Sequence, residues 1–360
     1  MRAASRVIVA GFLGACGGGQ QELGLPQAVG QLPAATVVAA TGLAPDEEAA
    51  LMSLADAWGL AGGATLGQPG IAYAQAPGME VGWRDLGDSP NFRSAWAARP
   101  MADEQPGWLF VDLQLAVDRA LAAAPDGPVR ALVEPLGLGS LEWAMFTFAV
   151  PLGTANGFEG RVRVGDDPVS LARAFAGRAG PSLLGAAVED AVVRIELRCD
   201  ADVVGRMLDA GTAPDALGAG LAARGALVGL VGQLGRTFVR EVDGSASIAV
   251  FADQTVCVAV GVREPDDVRD LLDSYFEPAG ADVWDGPAGV RFEVVGHALR
   301  MATRPWPETT AEAGPVFGPG LHVLGAVDGV MAGLEIGSGL RLEVTPSDAA
   351  TLAVSARALD

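Results

Sequence analysis

Ser245-Ala-Ser-Ile-Ala-Val-Phe-Ala252 and Thr255-Val-Cys-Val-Ala-Val-Gly-Val262 are two apolar runs broken only by Asp253-Gln254. A two-residue polar break between β-type runs predicts a tight hairpin. With residue 252 opposite 255, Ile248, Val250, Cys257 and Ala259 would share one face. Ala249, Phe251, Val256, Val258 and Val260 would share the other. Both faces are apolar, which predicts a hairpin inside a sheet covered on both sides. The chain then passes Arg263-Glu264 into a helix. Pro265 suits a first helical turn, and Asp266 and Asp267 favour the positive end of the helix dipole. Val268, Leu271, Leu272, Tyr275 and Phe276 fall on one helical face.

The same grammar of strand, turn, strand, proline and helix recurs along the chain, with helix-opening prolines at 90, 168, 265 and 346. Such spacing predicts a duplicated supersecondary unit. Runs at 36–40, 108–112, 192–199 and 321–327 supply a leading strand, so each unit reads β-α-β-β-α, the last one degenerate. In the fourth unit, residues 340–344 read as a strand and Pro346 as the start of a helix bearing Leu352, Ala356 and Leu359. Two stretches alternate: Val193, Ile195, Leu197 and Cys199 oppose Arg194, Glu196 and Arg198, while Phe158, Val162 and Val164 oppose Glu159, Arg161 and Arg163. Alternation predicts one wet face and one face under helices. The expected fold class is α+β, with tandem units whose largely antiparallel sheets are covered by helices. Two domains follow, at 32–180 and 181–360, each of two units.

The amino terminus reads as an export signal over residues 1–15. Arg2 and Arg6 precede an apolar core, and Leu13-Gly14-Ala15-Cys16 follows. That tetrapeptide resembles the lipobox of bacterial lipoproteins, which implies lipidation at Cys16; ordinary cleavage near Ala15 is the competing reading. Residues 16–31 then form the lipidated cysteine and a Gly/Gln-rich tether. Several acyl chains on Cys16 would hold the protein at a membrane without a spanning helix. Gly17, where an aspartate favours inner-membrane retention in such lipoproteins, leans the expected location to the outer membrane or cell surface.

Charge excludes some partners. The formal net charge is −20, and all 24 basic residues are arginine. An acidic surface repels nucleic acid and does not dock electrostatically on an anionic membrane. Without lysine there is no P-loop and no lysine nucleophile. His297 and His322 lack ligand partners at helical spacing, so no metal site is expected, and no motif calls for a cofactor. Asp200 and Asp202 precede an apolar helical run and read as a cap, with calcium the alternative. Residues 214–235 are Ala/Leu/Gly-rich and read as a buried helix, not a spanning one, because Arg224 interrupts them. Cys199 and Cys257 remain after Cys16; export makes a disulfide between them possible, with buried thiols as the default.

Several stretches resemble a family. Leu32-Pro33-Ala34-Ala35-Thr36 is similar to the "LPADT" openings of bacterial exported lipoproteins of unknown function. Asp88-Ser-Pro-Asn-Phe92, with Gly107-Trp-Leu-Phe-Val-Asp-Leu113, resembles their "D-S-P-x-F … V-Y-x-D-L" element, and Leu136-Gly137-Leu138 and Gly261-Val-Arg-Glu-Pro265 resemble further pieces. Ala35 departs from the usual aspartate. The resemblance implies an envelope location and tandem α+β units, and it brings no active site. The sequence therefore predicts a membrane-anchored, non-enzymatic binding or scaffolding module. The alternative is a carrier of an apolar ligand such as an acyl chain, with an enzyme third.

Overall fold

The structure is a computed structural model. It describes residues 26–57, 59–64, 71–100, 107–123, 138–148, 157–167, 170–185, 191–211, 241–253, 255–286, 289–303, 306, 315–325 and 340–358. Cys16, the expected signal, most of the expected tether and residues 214–235 lie outside them.

The first part of the chain forms β1 (Thr36–Thr41), α1 (Pro45–Ala57), β2 (Ala61–Ala64), β3 (Ala72–Gln75), α2 (Pro90–Ala98), β4 (Gly107–Asp112) and α3 (Leu113–Ala123). It continues with β5 (Trp143–Phe148), β6 (Gly157–Arg163), α4 (Leu171–Ala174) and β7 (Gly180–Pro181). Then come β8 (Ala191–Arg198), α5 (Ala201–Gly211), β9 (Val242–Phe251), β10 (Val256–Val262) and α6 (Pro265–Tyr275). Strands finish the chain: β11 (Glu277–Gly280), β12 (Val283–Asp285), β13 (Arg291–Val295), β14 (Ala298–Ala302), β15 (Val316–Phe317), β16 (Gly320–Gly325), β17 (Leu340–Asp348) and β18 (Thr351–Ala358).

Sixteen of these strands join one antiparallel sheet, in the order β11-β12-β13-β14-β10-β9-β8-β16-β17-β18-β6-β5-β4-β1-β3-β2. This corrects the α+β expectation of tandem units under helices: the molecule is mostly β, with few helices on one continuous sheet. The reason is pairing between strands far apart in sequence. β16 reaches back to β8, and β18 lies against β6, so residues of the two expected domains share one ladder.

The hairpin at 245–262 forms, one residue out of the expected register. Val250 faces Val256, Ile248 faces Val258 and Ala249 faces Cys257. The turn holds three residues, because Phe251 N–H donates to the Thr255 carbonyl and Asp253 Oδ1 takes the Thr255 N–H at 3.0 Å. A one-residue slip moves a whole strand's side chains to the other face. So Ala249, Phe251, Cys257 and Ala259 pack together with Leu184, while Ile248, Val250, Val256 and Val258 line the opposite side.

The helix expected after Pro346 is also corrected, since β17 continues through Pro346 and returns as β18. Leu352, Val354 and Ala356 alternate with Thr351, Ala353, Ser355 and Arg357, a period of two that fits a half-covered strand. The Asp348 carboxylate accepts the Ala350 N–H at 2.8 Å and tightens the turn.

Helix α2 opens as the sequence implies. Ser89 Oγ accepts the Phe92 N–H, and Pro90 sits in the first turn. Phe92, Ala95 and Trp96 then pack on Trp108, Phe110, Trp143 and Met145 of β4 and β5. Helix α6 buries Val268 and Leu272 against Trp284, Val294 and Leu299.

Candidate functional site

Strand β8 carries Arg194, Glu196 and Arg198 on one face, which the alternation marks as wet. The structure overturns that: Glu196 is 0% exposed and Arg198 2%. The segment 180–185 crosses over them. Ser182 Oγ donates to Glu196 Oε1 and Ser247 Oγ to Oε2, each at 2.5 Å. Arg194 Nε reaches Oε1 at 2.8 Å, and Arg198 Nη2 lies 3.4 Å from Oε2. Arg198 Nη2 also donates to the Pro181 carbonyl at 2.6 Å, and Nη1 to the Leu197 carbonyl at 2.8 Å. A buried charge with four donors is the arrangement that makes ionic burial tolerable. Burial lowers the pKa of Arg198, while Glu196 works in the opposite sense.

Where β8 ends, this network borders an open cavity of about 600 Å³. Residues 176–181 wall one side, and the start of α5 and residues 243–245 wall the other. The backbones meet closely: Cys199 N–H donates to the Gly244 carbonyl at 2.8 Å and Asp200 N–H to the Ala174 carbonyl at 2.7 Å. Gly244 has φ +92°, and a Cβ there would lie 2.1 Å from the Cys199 carbonyl oxygen. Only glycine fits that approach.

Six charged side chains line the cavity: Arg178, Arg198, Asp200, Asp202, Asp243 and Arg263. The acids already have partners. Asp200 Oδ1 accepts the N–H groups of Asp202 and Val203 at 3.0 and 3.1 Å and so caps α5. Asp202 binds Arg263 at 2.5 Å, and that hydrogen bond holds its carboxyl below the usual range. Asp243 Oδ1 accepts the Ser245 N–H at 2.8 Å. Arg178 is exposed on the rim, with no ion pair among the described residues.

Cys199 lines this cavity as a buried thiol, pushed up to about 11 by burial and by Asp200. A thiol so raised is a poor nucleophile near neutrality. The disulfide with Cys257 is not formed; both are buried thiols. Register explains why. Cys199 bonds Gly244 of the chain entering β9, whereas Cys257 faces Ala249. Five residues of strand separate those levels, roughly 16 Å at ~3.3 Å per residue, beyond disulfide reach.

The two histidines lie apart from the cavity's acids. His297 Nδ1 is 3.4 Å from the Val262 carbonyl, and His322 lies between the Glu343 carboxylate and the Gly318 carbonyl. Among the described residues no helix is long and apolar enough to cross a membrane. Alternation gave no sign of the Glu196–Arg198 network, since a charged face reads the same whether water or a crossing segment covers it. Ser182 and Ser247 carried no motif. Comparison with family models, curated proteins and solved structures gives no match.

Proposed function

We propose that this chain is a non-enzymatic binding or scaffolding module of the cell envelope, exported and held by a lipid on Cys16, in the outer membrane or at the cell surface. The observation that carries the binding reading is the state of the cavity's acids. Asp200, Asp202 and Asp243 are each committed to a cap, an ion pair or a turn, so among the described residues the cavity offers fixed charges against which a ligand could pair. Six charged side chains are also the wrong lining for an acyl chain, and the carrier alternative draws nothing from this cavity. The lipobox and the resemblance, which covers most of residues 32–276, support the anchored location.

Two measurements test this reading. Turnover of any member of a broad hydrolase panel by the purified protein, lost on one point substitution, would sink the non-enzymatic part. For the anchor, the protein should enter the detergent phase, and mass spectrometry should find an acylated Cys16 at the mature terminus. Cys16→Ala should move it to the aqueous phase or leave an uncleaved precursor. An unmodified Cys16 in the wild type ends the lipoprotein reading.

A further inference from the structure

We propose that the uncovered middle of the sheet, floored by β6, β18 and β17, is a docking trough for an acidic polypeptide segment of a partner protein. One cross-strand row defines it. Thr147, Glu159, Ser355, Glu343, His322 and Glu196 stand opposite one another in turn from β5 to β8. Directly paired residues share a face of the sheet. Along this row Thr147 is 4% exposed, the Glu159 side chain 57%, the Glu343 side chain 30%, His322 6% and Glu196 0%. Among the described residues the face is therefore covered at both flanks and open between. Phe92 and Trp96 pack on the β4–β5 flank, and residues 180–185 with Phe317 cover the β16–β8 flank.

The floor's charge runs against that of the chain. It presents Arg161, Arg163, Arg341 and Arg357 against Glu159 and Glu343, in a protein of net charge −20. Arg357 pairs Glu159 at 2.9 Å, Arg341 pairs Glu343 at 2.7 Å and Arg163 lies 3.6 Å from Glu142 at the margin. Arg161 is exposed and has no ion pair among the described residues. Arg341 and Arg357 stand directly opposite each other, a like-charge pair that a bridging carboxylate would relieve.

Arginine forks match carboxylates bidentately. The flanks at β5 and β16 are four strand spacings apart, roughly 19 Å at ~4.8 Å each. That opening admits one extended chain or one helix of ~10–12 Å diameter. A flat anionic membrane meets the flanks first and cannot reach the floor. A Glu-rich segment narrow enough to enter fits both the width and the charge.

The test uses the full chain and a fluorescent Glu-rich peptide, with its Gln counterpart as control, read by anisotropy at low and high salt. The Glu peptide should bind at low salt, weaken steeply as salt rises, and leave the Gln peptide unbound. The double variant Arg161→Glu, Arg357→Glu should weaken binding roughly tenfold or more with melting unchanged. Should that variant melt early, Arg161→Gln, at an exposed side chain without an ion pair, is the substitute and should still weaken it. No binding at low salt, or equal binding by the variants, overturns the proposal. So does binding of phosphatidylglycerol vesicles or a uronic-acid oligosaccharide to this floor in place of the peptide.

Discussion

Asp112, at the junction of β4 and α3, is fully buried and yet a carboxylate. Its Oδ1 accepts the Leu115 N–H at 3.0 Å and the Asn91 amide at 3.1 Å, while Oδ2 is buried with no hydrogen-bond partner. Burial raises its pKa to about 6, against the pull of those donors. The folded state therefore holds a proton that the unfolded chain, with an ordinary aspartate near ~3.9, has already released. This group's contribution to stability is greatest at acid pH. It declines as pH rises from about 4 through about 6, by about 3 kcal/mol in all. Urea titrations across that window should show the decline in wild type and not in Asp112→Asn; equal slopes would refute it. The Asp88-Ser-Pro-Asn-Phe92 and Asp112-Leu113 elements were legible as motifs. That Asn91 reaches Asp112 was not, since 21 residues separate them.

Between elements, the segment 180–185 is held to β8 and β9 largely by one carboxylate. Ser182 and Ser247 both donate to Glu196, Leu183 N–H donates to Ser247 Oγ at 3.1 Å, and Ser182 N–H reaches the Pro315 carbonyl at 3.0 Å. Removing the carboxylate leaves Arg198 buried without its counter-charge. Glu196→Ala should therefore cost about 3–5 kcal/mol, and the amides of 182–185 should lose exchange protection ahead of the sheet. Hydrogen exchange read by mass spectrometry checks this, and unchanged protection would show the segment is held otherwise. The hairpin at 245–262 makes a related point. Its existence was legible in the apolar runs, but its register turned on whether Asp253 closes a two- or three-residue turn.

For the whole molecule, β17 and β18 are the seam. Without them the sheet order falls into one group of eight strands ending at β16 and another of six ending at β6. Each new edge would expose unpaired backbone groups, a template for aggregation. A chain ending at residue 339 should lose its single cooperative unfolding transition and associate in size-exclusion chromatography. A monomer with wild-type melting would refute this placement of the seam.

By itself the sequence determined the local pieces: the strand runs, the Asp200 cap and the acidic charge. Each of these rests on residues within a few positions of one another, where propensity and hydrogen bonding act directly. Tertiary structure alone decided which strands are neighbours and which polar faces are dry. Glu159 and Glu196 sit on similar alternating strands, one exposed and one sealed, because residues 180–185 cross only the second. Arg357 meets Glu159 across 198 residues of chain. Pairing at that range is selected by the summed fit of whole strand faces, a quantity no local window contains.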